Sequence, residues 1–164
     1  MIRLRRAIVV GIGLALAGWG TGKQGMAGAE TKLDIAELGP DGLPIIFWRI
    51  KQEDEAAVLA LINAGADIEA QGYHGSTPLL TTAMLANWPL AVALIERGAN
   101  VGAVDRLGYN LPYLTTQNNP PVDTVNGAAL QAVRVYLNDR LMLERVYKPA
   151  EVRDLLTKGA WPPG

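Results

Sequence analysis

Two windows of the chain place apolar residues at helical spacing. Leu59, Leu61 and Ile62 give one apolar face, and Val92, Leu94 and Ile95 repeat the same spacing farther along. Each window closes on a glycine, Gly65 or Gly98, where a left-handed residue ends a helix at low cost. Thr77 suits a helix cap, Pro78 the first helical position and Leu79 the start of a buried face. Pro89 starts another helix after a turn at Asn87. The pattern predicts helices near 44–51, 54–64, 77–86 and 89–97. Farther on, Leu130, Val133, Leu137, Leu141 and Met142 fall on one face and predict a helix from Ala128 to about Tyr147, with a last one over 151–158. Between them, Gln117 to Gly127 holds Asn118-Asn119-Pro120-Pro121 and is a loop. The expected fold class is all-α.

A constant 33-residue interval orders the whole central region. Gly42, Gly75 and Gly108 are spaced by it, as are Gly65-Ala66-Asp67 and Gly98-Ala99-Asn100. When residues 58–75 are laid on 91–108, seven of 18 positions are identical. Such self-similarity marks stacked supersecondary units, each running turn, helix, turn, helix and extended finger. The units cover about 42–74, 75–107 and 108–160. The step from Gly98 to Gly159 is nearly two periods rather than one, so the third unit carries an insertion near 117–147.

These residues resemble the ankyrin repeat. Gly75-Ser76-Thr77-Pro78-Leu79 matches the opening of that family's unit, and Leu-Ile-x-x-Gly-Ala-Asp/Asn matches its close. The resemblance covers about residues 42–116 and returns in Val152 to Ala160, another outer-helix ending. Leu80 stands where the family usually has His, and the first and third units lack the Thr-Pro-Leu string. The resemblance implies a short solenoid of helix–turn–helix units, with the 128–147 helix as part of an atypical C-terminal cap. It also implies protein binding through the finger tips and the exposed side of the inner helices. On that basis the expected contact residues are Trp48, Lys51, Tyr73, His74, Thr81, Met84, Asp105, Arg106 and Tyr109. Trp88, beside the helix–helix turn, is expected to be structural.

Little in the composition points to chemistry. The chain has no Cys, which excludes disulfides, thiolate metal sites, a cysteine nucleophile and a lipoprotein anchor. The single histidine, His74, falls at a finger tip, and the single serine, Ser76, lies in the repeat opening rather than in a nucleophile elbow. Glu53, Asp54 and Glu55 suit the first turn of an outer helix. No cofactor, metal ligand set or catalytic group is expected, and the chain is expected not to be an enzyme.

Residues 1–29 form a different kind of segment. Arg3, Arg5 and Arg6 precede the uncharged run Ala7 to Gly18, and Ala27-Gly28-Ala29 offers small residues for cleavage. This is the layout of a secretory signal peptide. An apolar run of twelve residues is shorter than the ~20 that span a bilayer. Cleavage after Ala29 leaves 11 basic against 16 acidic residues, a net charge of −5, which disfavours nucleic acid and anionic membranes. The mature domain, 30–164, is therefore expected in the periplasm of a Gram-negative bacterium or outside the cell, without stable membrane insertion.

Together with the resemblance, this implies an exported protein–protein interaction module. The short Phe47-Trp48-x-Ile50-Lys51 string is similar to small immunity proteins that inhibit periplasmic toxins or effectors such as lipases. The alternative is a periplasmic partner that protects a housekeeping enzyme such as catalase in oxidative stress. Export is tested by N-terminal sequencing of periplasmic protein. The sequence should begin at Glu30, and uncleaved chain in the membrane fraction would contradict it.

Overall fold

The structure is a computed structural model and describes residues 34–162. The expected signal peptide and its cleavage site at Ala29 lie outside the described residues. Within them the chain forms seven α-helices and no strand: α1 Ile45–Lys51, α2 Glu55–Asn63, α3 Pro78–Met84, α4 Trp88–Glu96, α5 Leu111–Leu114, α6 Val125–Asn138 and α7 Pro149–Thr157. Two isolated bridges, Leu38 with Pro44 and Val104 with Asn110, are the only extended pairings among the described residues. No helix there is long and apolar enough to cross a membrane.

Five of the helices, α2 to α6, start behind a side-chain oxygen placed one residue ahead of them. Asp54 accepts a hydrogen bond from the Ala57 backbone N–H, Thr77 from Leu80, Asn87 from Leu90, Asn110 from Tyr113 and Thr124 from Gly127. Each satisfies a donor that the helix itself leaves unpaired. The ends are equally regular. Ala66 N–H bonds back to Leu61 C=O, Ala99 to Leu94 and Ala160 to Leu155, over the left-handed glycines Gly65, Gly98 and Gly159. The same closure recurs where no glycine announces it, with Glu53, Ala86 and Leu141 in the left-handed region.

That explains the departures from the expected boundaries. The helix expected over 128–147 runs instead from Val125, behind its Thr124 cap, to Asn138. Met142 N–H then bonds to Leu137 C=O and Leu141 turns over at φ 59°, leaving its side chain 67% exposed, while Met142 packs on the core. Glu53 similarly forms the turn ahead of α2 rather than its first helical turn, which only Glu55 of the three acids occupies.

Packing arranges the helices in two rows. α1 contacts α3 and α3 contacts α5, while α2 contacts α4 and α4 contacts α6; α1 pairs with α2 and α3 with α4. The buried core runs through both rows and includes Phe47, Ile50, Leu61, Leu79, Leu94, Leu111, Leu130 and Leu137. Leu80 is buried among them. Trp88 is fully buried, and its backbone N–H donates to Asn126 Oδ1, so α6 caps the start of α4 as well as covering its face. Arg134 on α6 donates to Thr115 C=O and Asn119 Oδ1, pinning the 117–124 loop between α5 and α6.

α7 docks on the third finger, around residues 105–110, where the second unit passes into the third. Asn110 Nδ2 donates to Tyr147 C=O, Arg153 donates to Leu107 C=O, and Val152 is fully buried. Gly108 makes this approach possible: it sits at φ 85°, and a Cβ there would strike the backbone of Pro149.

Leu94 is 0% exposed on α4, the helix that packs against α2, α3 and α6. Leu94→Ala should lower unfolding stability by about 2–5 kcal/mol in denaturant titration, as truncation of a buried leucine does. A loss below about 0.5 kcal/mol would place Leu94 outside the core and shift the repeat register.

Candidate functional site

The fingers are built by hydrogen bonds that leave their tips projecting. In the second finger, Gly72 N–H bonds to Ser76 C=O, Gly75 N–H to Gly72 C=O and Ser76 N–H to Tyr73 C=O. These hold His74 at φ 54° and leave Tyr73 56% exposed. The third finger closes on Asp105, whose carboxylate accepts from the N–H groups of Leu107 and Tyr109 at 2.9 and 2.8 Å. The two fingers are joined directly, since Arg106 N–H donates to His74 C=O at 2.8 Å.

Between these fingers and the inner helices lies a groove of about 230 Å³. Phe47 forms part of its floor. Tyr73, Leu107 and Tyr109 wall it on the finger side, and Thr81, Met84 and Leu85 on the α3 side. Its walls are predominantly apolar side chains. Thr81 Oγ1 is engaged by Ser76 Oγ at 3.1 Å, so that hydroxyl pair is internally satisfied. Tyr109 packs on Tyr113 with ring centroids 6.0 Å apart, which fixes the position of the third-finger aromatic.

One charged pair stands at the first-unit end. Lys51 Nζ lies 2.6 Å from Asp41 Oδ2 and 4.8 Å from the centroid of the Tyr73 ring. The hydrogen bond from Lys51 is the main cause holding the Asp41 carboxyl below its ordinary range, helped by the Leu43 N–H and by the ammonium charge, with partial burial opposing. The Lys51 ammonium thus faces both a carboxylate and an aromatic ring, which fixes its long side chain along the rim.

Of the nine residues expected to make contacts, the structure brings seven to this groove: Lys51, Tyr73, His74, Thr81, Met84, Asp105 and Tyr109. Asp105 differs from the others in being 3% exposed, with its carboxylate spent on the finger backbone, so it shapes the tip rather than presenting a free charge. Two lie elsewhere. Trp48 is half-buried beside Gly39 in the segment before α1, and Arg106 is exposed with its side chain alongside Gly75. Leu43, Phe47, Ser76, Leu85 and Leu107 line the groove without having been expected there. Leu107 had a signal, since it stands one repeat period after His74 at the corresponding finger tip. Leu85 had none, because its exposure follows from the left-handed turn at Ala86.

Among the described residues, no three His, Asp or Glu side chains converge where a metal ion would be held. No family model matches the chain. A stretch of 57 residues is 37% identical to the human protein Transient receptor potential cation channel subfamily A member 1, covering 35% of this chain and 5% of the channel. The similarity therefore concerns a minor part of either protein.

Proposed function

We propose that this chain is a short ankyrin-repeat module, exported from a bacterial cell, that binds another protein through the groove between its fingers and inner helices and carries out no chemistry itself. The observation that carries this is the groove. Seven of the nine side chains that the ankyrin resemblance puts forward for contact, from α1, α3 and two fingers, line one apolar depression. Its volume, about 230 Å³, is below the ~300–1,000 Å³ of typical small-molecule sites. That size suits an anchoring side chain of a protein partner, and tyrosine is frequent among such anchors. The ankyrin assignment is supported by the two rows of stacked helix pairs and by identical closures at Gly65 and Gly98.

Within this proposal the partner is a periplasmic toxin or effector, a lipase for example, and the chain acts as its inhibitor or immunity protein. Phe47, from the string that suggested this group, forms part of the groove floor. The interface should bury about 1,200–2,000 Å² in total, with a few anchors dominating the affinity.

The test is to co-purify the partner from periplasm, identify it by mass spectrometry and measure its affinity for variants. Tyr73→Ala combined with Tyr109→Ala should leave the melting temperature nearly unchanged and weaken binding at least tenfold, about 1.4 kcal/mol. Glu96→Ala, exposed at the end of α4, should do neither. Normal binding by the tyrosine double variant, with loss of binding on changes to α6, would move the recognition surface to the insertion.

A further inference from the structure

A second hollow, of about 400 Å³, lies where the inner helices end. Glu53 and Glu55 face it from the α1–α2 turn, and Leu85 and Val125 from the α3–α4 turn and the start of α6. Leu85 also lines the groove, so the two depressions meet at one side chain that is 51% exposed. Val125, 79% exposed, extends the apolar ledge beyond it.

The two ends of this track differ in charge. At the groove end the rim cation, Lys51, is held by Asp41. At the hollow end no Lys or Arg is among the lining residues. Glu53 and Glu55 are both exposed, and among the described residues neither is in an ion pair. Asp54 between them is already committed, to Arg49 and to capping α2. The open charge of the hollow is therefore negative.

The dimensions restrict what can occupy both. A helix with its side chains is about 10–12 Å across and does not enter a 230 Å³ slot, whereas one side chain of an extended segment does. From Thr81 to Leu85 is about 6 Å of helical rise, and an extended chain advances about 3.3 Å per residue.

Taking the groove as the binding face, we propose that the partner docks through an extended segment that places one large apolar side chain in the groove, crosses Leu85, and sets a Lys or Arg roughly two to four residues away against Glu53 and Glu55. Complementary charge at the hollow then fixes the orientation of the segment on the apolar track.

Linear peptides displayed on phage, selected on the purified protein and then synthesised, give the probe. The recovered sequences should pair a large apolar residue with Lys or Arg at that spacing. Their affinity should fall at least tenfold for the combined Glu53→Gln and Glu55→Gln variant, and should weaken with added salt. Failure to recover binders, recovery of peptides without the basic residue, or equal affinity for the glutamine variant would each overturn the proposal. If the same peptides lose affinity for the Tyr73→Ala, Tyr109→Ala variant but not for the glutamine variant, the groove stands as the binding face and the basic segment does not. Insensitivity to the tyrosine changes would remove the groove as well.

Discussion

Among the described residues no helix pair buries its own apolar surface alone, and the rest of the structure depends on how that surface is shared. α4 is the clearest case. Its buried residues Trp88, Leu90, Ala91, Leu94 and Ile95 are too many for one partner to cover, and α2, α3 and α6 all contact the helix. In a stack of this kind each unit is stabilised by its neighbours, and the last unit needs something to close the row. Here α6 closes the outer row. Its fourteen residues bring Leu130, Val133 and Leu137 into the core and its Asn126 caps α4.

The groove is a consequence of the same stacking. Successive fingers are held in register by the Arg106–His74 backbone hydrogen bond, and successive inner helices by apolar contact between α1 and α3. Both rows are spaced by the repeat, so Tyr73 and Tyr109 come to face Met84 and Leu85 across a fixed gap. Its floor is core, since Phe47 is buried, but Tyr73, Met84 and Leu85 are exposed, which leaves apolar surface available for a partner.

Much of this was legible in the sequence because the determinants are local. Gly65 and Gly98 end helices, Thr77 and Pro78 begin one, and the interval between equivalent residues orders the units. Seven of the nine expected contact residues lie together for that reason. What was not legible depends on the chain turning without a marker. Glu53, Ala86 and Leu141 occupy left-handed positions that ordinarily call for glycine, so the end of α6 and the exposure of Leu85 and Leu141 carried no local signal. The role of Asp105 carried no local signal either, because only the folded geometry turns its carboxylate onto two backbone N–H groups. Trp48 lies outside the groove, beside Gly39 in the segment before α1, which carries no repeat.

The dependence of the stack on its C-terminal closure is measured most directly by truncation before Val125. Removing α6 and α7 while keeping both complete helix pairs exposes the α4 face that Leu130, Val133 and Leu137 cover. Cooperative thermal unfolding, followed by far-ultraviolet circular dichroism, should be lost in the truncated chain. An unchanged midpoint with unchanged cooperativity would show that the two helix pairs are self-sufficient, and would contradict the account of a shared core closed by α6.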